Sequence, residues 1–397
     1  MKSIRDVNFK DKRVLIRVDF NVPVDQNRRI TDDTRIRESL PTIRLVLEKG
    51  GSIILMSHLG RPKGGFESEY SLAPVVPILS GYLGKKIIFN TDLFGEKTIE
   101  TAKNLQAGEI MLMENLRFYK EEEAADEAFA KKLSKLADIY INDAFGTAHR
   151  EHASTATVAK FFPKDKYFGL LMEHELFNLD KVLSSAVPPF TAIIGGAKVS
   201  SKIDIIRSLL PKVDNMIIGG GMAFTFIKAL GGHVGDSMHE DDKIQVALEI
   251  MRQMMLTGVH LFIPVDIIAG DQFSNNAELI EVPSYEIPEG WIGMDIGPKS
   301  RSYFTEVINR SRTILWNGPM GVFELEKFKH GTKKVAMAVA SATTAGAYSA
   351  IGGGDSVSAI NMYDIGDAIS YVSTGGGAML EYVEGKQLPG IRAILEK

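Results

Sequence analysis

The sequence predicts an α/β protein of two doubly wound, parallel-sheet domains, and three observations carry that reading. Short apolar runs recur along the chain, almost every one ends in a cluster of glycine, charged or amide residues, and segments of helical spacing lie between them. Short apolar runs bounded by turn formers are the pattern of strands buried on both faces. Their alternation with helices implies parallel sheets covered by helices on each side. At 397 residues the chain exceeds what one hydrophobic core normally serves, so two domains are expected.

In the first half, residues 14–18 lead into Asp19-Phe20-Asn21, 53–56 into SHLGRP, 110–113 into ENLRF, and 139–141 into NDAFGTAHR. In the second half, residues 192–194 lead into GGAKVSSK, 216–218 into GGGMAF, and 261–263 into PVDIIAGD. The last runs are 314–316 before NGPMG, 348–351 before GGGDS, and 371–372 before STGGGA. Residues 122–136 and 241–255 have helical spacing, as do residues 169–183, which precede Pro188-Pro189. That last helix is taken as the connector: domain 1–170, connector 171–185, domain 186–372, and a final segment 373–397. In parallel sheets ligands bind beyond the carboxyl ends of the strands, where these polar motifs sit.

Apolar residues make up 45% and charged residues 24%, ordinary for a globular protein, and the formal net charge of −4 gives no global reason to expect nucleic acid or a membrane as partner. With no cysteine, disulfides, thiolate metal sites and cysteine nucleophiles are excluded together. The start, MKSIRDVNFKDKRV, lacks the apolar run of about 7–15 residues of a signal peptide, and no stretch reaches the ~18 apolar residues of a membrane helix. The expectation is a cytoplasmic protein.

The two halves differ in chemistry. The first offers Arg35, His58, Arg61, Arg117 and Arg150 with Asp19 and Asn21. Arginine's planar fork binds carboxylate and phosphate oxygens in pairs, so a small acid bearing both groups would use this set fully. Any one of these arginines, taken alone, reads more readily as a solvated or ion-paired surface group, and His58 alone more readily as a structural hydrogen-bonder; the set of five cationic groups at strand ends is what points to an anion. The second half offers glycine loops whose backbone N–H groups can approach phosphate oxygens. None completes a Walker A or a G-x-G-x-x-G sequence. Lys198 and Lys202 share one face if a helix begins after Gly196, with an anionic phosphate between them. Asp355, after Gly352, Gly353 and Gly354, is placed to hold Mg²⁺ shared with nucleotide phosphates, or to cap a helix.

The motifs RVDFNVP, DDTRI, SHLGRP, ENLRF, NDAFGTAHR, GGAKV, GGGMAFTF, WNGPMGVFE, GGGDS and STGGGA, in this order over nearly the whole chain, together resemble the phosphoglycerate kinase family. The resemblance implies two similar Rossmann-like domains joined by a long helix, with the carboxyl-terminal segment returning to the first domain, in a monomer. It implies reversible phosphoryl transfer from 1,3-bisphosphoglycerate to MgADP, giving 3-phosphoglycerate and MgATP. By that similarity Asp19, Asn21, Arg35, His58, Arg61, Arg117 and Arg150 match 3-phosphoglycerate-binding positions. Lys198, Lys202, Gly219, Gly220, Gly293, Pro319, Gly321, Glu324, Asp355 and Ser356 match nucleotide-side positions, with Glu324 as the ribose carboxylate and Asp355 as the Mg²⁺ ligand. Gly375, Gly376 and Gly377 resemble the loop facing the transferring group. Ser201 departs from the acid often found beside the second lysine.

Arg35, Lys198 and the amides of Gly375, Gly376 and Gly377 are the expected transition-state stabilisers, with Lys202 on the nucleotide phosphates. Separate acid and nucleotide domains imply closure about a hinge at the connector and near residues 370–378. Two other readings stand beside this one. A nicotinamide-dependent dehydrogenase would share the sheet and glycine loops, and a non-catalytic nucleotide-binding scaffold would need only part of the charged set.

Overall fold

In the computed structural model, which describes residues 3–396, each half of the chain builds a six-stranded sheet paired in parallel throughout. The first sheet contains β1 (Arg13–Val18), β2 (Ser52–Met56), β3 (Ile87–Asn90), β4 (Ile110–Met113), β5 (Ile139–Asp143) and β6 (Lys166–Phe168), in the order β3-β4-β2-β1-β5-β6. Its register sets Ile16 between Leu55 and Ile141. The helices of this half are α1 (Thr34–Glu48), α2 (Val75–Leu83), α3 (Glu96–Asn104), α4 (Lys120–Glu123) and α5 (Glu127–Ser134). Val14, Ile16, Val18, Ile53 and Leu55 form one buried cluster with Ile36, Leu40 and Ile43 of α1, whose i, i+4, i+7 spacing gives that helix its apolar stripe.

After α6 (Leu170–Ser184), the second half places β7 (Phe190–Ile194), β8 (Asn215–Ile218) and, past the two-residue β9 (His233–Val234), β10 (His260–Phe262) in its main sheet. A three-stranded antiparallel sheet follows, made of β11 (Asp266–Gly270), β12 (Leu279–Pro283) and β14 (Ile292–Ile296), while β13 (Glu286–Ile287) pairs with β9. The main sheet is completed by β15 (Thr313–Asn317), β16 (Tyr348–Ile351) and β17 (Tyr371–Val372), in the order β10-β8-β7-β15-β16-β17. Its helices are α7 (Ile203–Leu209), α8 (Met222–Ala229), α9 (Ile244–Thr257), α10 (Pro298–Arg310), α11 (His330–Thr344), α12 (Gly354–Met362) and α13 (Gly377–Val383), and the chain closes with α14 (Pro389–Leu395).

Two compact units result: one runs to Leu176 and resumes at Gln387, the other is Phe177–Lys386. The segment 373–397, expected to go with the first half, divides. Residues up to Lys386 belong to the second unit, because α13 buries Ala378, Met379 and Val383 and Ser208 on α7 donates to the Val383 carbonyl at 3.1 Å. From Gln387 the chain belongs to the first unit, where Gly390 N–H donates to Ala148 O at 2.8 Å and Lys166 Nζ to Ala393 O at 2.7 Å.

The helix expected over 122–136 is broken into α4 and α5. Ala125 sits at φ +55°, and the Asp126 side chain accepts from Phe129 N–H at 2.7 Å and caps the second piece. Glu122 turns inward instead of continuing the helix face, and bonds Ser154 through both carboxylate oxygens.

At the start of α6, Leu170 N–H donates to Thr42 Oγ1 at 2.8 Å, and Asp143 Oδ1 accepts from Leu171 N–H at 3.0 Å. Burial pushes the Asp143 carboxyl up to about 7, and its Oδ2 is buried with no hydrogen-bond partner. A carboxyl raised in the folded state favours folding fully below its unfolded value and loses that contribution as pH rises through about 7. Asp143→Asn, which keeps an acceptor for Leu171 without the titration, is therefore expected to gain on the wild type by about 2 kcal/mol between pH 5 and pH 8 in chemical unfolding.

Candidate active site

In each sheet the strand order reverses beside the first strand of its half, between β1 and β5 and between β7 and β15. Crevices form at such points, outside the carboxyl ends of the strands. Both crevices are lined by the motifs singled out in the sequence.

In the first unit, β1 is followed directly by Asp19, whose Oδ2 pairs with Arg35 Nη1 in the first turn of α1 at 2.7 Å. Asn21 Oδ1 accepts from Gly60 N–H at 2.9 Å, and Arg117 Nη1 donates to Gly60 O at 2.7 Å. The loop after β2 is thus held from both sides, with exposed Arg61 next along it. Arg150, after β5, donates from Nε to His149 Nε2 at 3.3 Å.

The imidazole of His58 shows how tightly these cations gather. Burial holds it well below its ordinary pKa, and the guanidiniums of Arg17, Arg117, Arg35 and Arg150 push in the same direction. Arg17 Nη2 lies 3.2 Å from His58 Nδ1. A guanidinium can only donate, so Nδ1 accepts and the neutral ring carries its proton on Nε2. Arg117 is 7% exposed, burial lowers its pKa, and its Nη2 has no hydrogen-bond partner. A buried, unpartnered guanidinium nitrogen beside three further arginines fits an anionic ligand.

In the second unit a cavity of about 700 Å³ lies at the β7/β15 crevice. Of the sequence-predicted residues, Gly220, Gly293, Pro319, Gly321, Glu324 and Asp355 line it. Its other walls are mostly apolar: Phe224, Met238, Ile267, Phe273, Met294 and Leu325 among them. Gly293 is required by a close approach, since a Cβ there would run into the Phe224 ring. Asp295, also on the wall, accepts from Gly331 N–H at 2.7 Å and Ile296 N–H at 2.9 Å, and burial pushes its carboxyl up to about 7.

The two lysines and the glycine loops that supply Gly196, Gly220 and Asp355 lie beside this cavity, in a different local setting from the one expected, whereas Gly375, Gly376 and Gly377 are not among its lining residues. No helix starts after Gly196: α7 begins at Ile203, and both lysines precede it. Lys198 is exposed, and the departing residue Ser201 donates from Oγ to Lys198 O at 2.8 Å. Lys202 is turned inward and bonded to Asn317 Oδ1; burial lowers its pKa, with the Asp355 and Glu384 carboxylates opposing. Asn317 Nδ2 in turn donates to Gly352 O at 2.6 Å, and Ser356 Oγ accepts from Gly318 N–H at 2.6 Å. The cap of α12 is Gly353, at φ +93° against the Asn317 amide, so Asp355 sits inside the first turn and is not the cap. Gly219 packs against Met320. Gly375 N–H donates to Ser373 Oγ at 3.0 Å, Gly376 caps α13 at φ +50°, and Gly377 opens it.

The model of the family described as phosphoglycerate kinase matches residues 4–386. The chain belongs to the phosphoglycerate kinase family. It is accordingly a phosphotransferase with a carboxyl group as acceptor. A curated phosphoglycerate kinase of Porphyromonas gingivalis is 49% identical, with 99% of each chain covered. Among solved structures, phosphoglycerate kinase from Coxiella burnetii superposes with a TM-score of 0.90 at 40% identity, over 99% of this chain and 98% of that one. The enzyme from Pyrococcus horikoshii gives 0.84 at 33% identity, over the same shares.

Two groups escaped sequence reasoning in this phosphoglycerate kinase family member. Arg17 is fully buried in β1 and touches His58, yet in sequence it is one more charged residue in an apolar run. The antiparallel sheet that supplies Ile267, Ile292, Gly293 and Met294 was missed as well. In β12 exposed Leu279, Glu281 and Pro283 alternate with half-buried Ile280 and Val282, the period of two of a one-sided strand, but Leu279 and Pro283 on the exposed face hide that alternation in the sequence.

Proposed function

We propose that the first unit holds 3-phosphoglycerate or 1,3-bisphosphoglycerate in the arginine crevice, and that the second holds ADP or ATP in the apolar cavity. The reaction is reversible transfer of a phosphoryl group between the acid's carboxyl oxygen and the terminal phosphate of the nucleotide. The observation that supports this division most is the Arg117–Arg35–His58 cluster around Asp19, a positively charged crevice with an unpartnered guanidinium nitrogen. The second unit's cavity has instead the apolar walls that suit a purine and Glu324 for a ribose.

A carboxylate attacking phosphorus is already ionised, so this chemistry needs no general base. What it needs is alignment and cancellation of charge. Arg35 lies against the acid, and the neutral His58 offers Nε2–H as a donor. Lys202, Lys198 and the amides around Gly375, Gly376 and Gly377 would face the phosphates. Asp355 is a carboxylate on the cavity wall, and among the described residues no group of three His, Asp or Glu gathers to hold a metal alone. That suits Mg²⁺, which is commonly held by one or two carboxylates together with substrate phosphates and water. Bound by Asp355 and the nucleotide, it would neutralise charge on the phosphate oxygens.

The deciding assay mixes the protein with 3-phosphoglycerate and MgATP, and a coupling dehydrogenase reports bisphosphoglycerate as NADH loss. Loss that requires both substrates and Mg²⁺ is the expected result, and its absence from folded protein would move weight to a non-catalytic scaffold. Because acid and nucleotide are assigned to different units, turnover also requires the units to close. Small-angle scattering is expected to show compaction only with both ligands present, and an unchanged profile would count against closure. The reading extends to a monomeric enzyme of the cytoplasm. Light scattering should return the mass of one chain.

A further inference from the structure

We propose that Ser237 is a positioning residue of the nucleotide cavity, fixing its β14 wall through the N–H of Gly293. The inference rests on the assignment of this cavity to the nucleotide.

The β11/β14 pairing carries an irregularity. Ile268 faces Asp295 but Ala269 faces Gly293, so Met294 is an extra residue without an opposite number. A bulge of this kind redirects side chains and is common beside active sites. In a regular strand only alternate residues would face the cavity, whereas here Ile292, Gly293, Met294, Asp295 and Ile296 all line it. A bulged strand is also locally less restrained by its ladder. Here it is clipped from outside: Gly293 N–H donates to Ser237 Oγ at 2.8 Å, and Asp236 N–H donates to Trp291 O at 2.9 Å.

Ser237 is itself held. It is 2% exposed, and its carbonyl meets His239 Nδ1 at 2.8 Å. The carbonyl can only accept, so Nδ1 carries the ring proton and Nε2 accepts from Lys228 Nζ, 2.7 Å away. Lys228 pairs also with Asp241 at 2.8 Å. Asp236 and Met238, on either side of Ser237, line the same cavity. One short loop thus supplies one wall and fixes the next, and the Ser237 hydroxyl is the link between them. The hydroxyl does not line the cavity, so it acts on the nucleotide only through Gly293.

Ser237→Ala removes the acceptor and frees the bulge. The expected result is a rise of about three- to ten-fold in KM and Kd for MgADP. The KM for the acid substrate, and kcat at saturating nucleotide, should stay within about two-fold of wild type. His239→Ala, which loosens Ser237 without touching Gly293, should give a smaller shift of the same kind. A variant that only weakened the fold would not separate the two substrates in this way. Unchanged nucleotide KM in both variants, or equal losses for both substrates, would overturn the proposal. Methyl NMR of the methionines separates this from failure of the cavity assignment. MgADP should shift Met238 and Met294 in the wild type, and if it does not, the cavity assignment falls and the proposal with it.

Discussion

Replacing Arg35 by alanine is expected to lower kcat on the order of 10³-fold while leaving nucleotide affinity at its wild-type value. Arg35 stands in the first turn of α1 with its Nη1 on Asp19 Oδ2 at 2.7 Å, so its guanidinium is oriented before any ligand arrives. The other Asp19 oxygen accepts from Asn21 N–H at 3.3 Å, which holds the carboxylate in turn. A cation fixed in advance costs no reorganisation when charge spreads over the transferring phosphoryl oxygens, and that differential contact raises kcat rather than ground-state binding. Arg35→Lys should recover little, because an ammonium cannot span two oxygens as the planar fork does. Steady-state kinetics with each substrate varied separates the possibilities. A loss confined to KM for the acid would make Arg35 a ground-state anchor and leave the transition state to other groups.

The crevices were legible because parallel strands buried on both faces are written as apolar runs, and their carboxyl ends as abrupt changes to polar residues. Asp19, His58 and Arg117 each follow such a run, and the topology brings them together without help from any side-chain argument. Local conformation at the second site was less legible. The spacing of Lys198 and Lys202 suits a helix equally well, but glycine before them and a buried amide at Asn317 favour a loop that points Lys202 inward. Likewise residues 122–136 keep helical periodicity while Glu122 is drawn inward to Ser154, a contact made across 32 positions of sequence. Tertiary hydrogen bonds of that kind leave no mark on a local pattern. The same is true of Arg17, whose partners Ser154 and His58 lie on other segments.

Arg17→Met is expected to destabilise the protein by on the order of 3–5 kcal/mol at pH 8, with the deficit shrinking as pH falls. Arg17 is fully buried and spends its donors on Ser154 Oγ at 2.9 Å, on the Val18 carbonyl and on His58. Ser154 passes the contact on to Glu122, which is also fully buried and accepts from the Ser154 N–H at 2.9 Å and hydroxyl at 2.5 Å. Burial raises the Glu122 pKa, and the Arg17 charge is the largest influence opposing it. Methionine in its place fills similar volume but leaves that carboxylate without its counter-charge, so the folded-state pKa rises further. A raised carboxyl favours folding fully below its unfolded value of about 4.3 and loses that contribution as pH climbs through the folded value. The penalty is therefore largest in alkaline solution. The histidines act in the same direction: burial keeps His58 and His152 neutral, Arg17 adds to it, and its removal eases their protonation at low pH. Chemical unfolding at pH 8 and pH 5 measures the trend, and Glu122→Gln added to Arg17→Met should recover much of the alkaline loss. Equal deficits at both pH values, with no recovery in the double variant, would mean that Arg17 supports the crevice by packing alone and that the Arg17–Ser154–Glu122 chain carries no charge coupling.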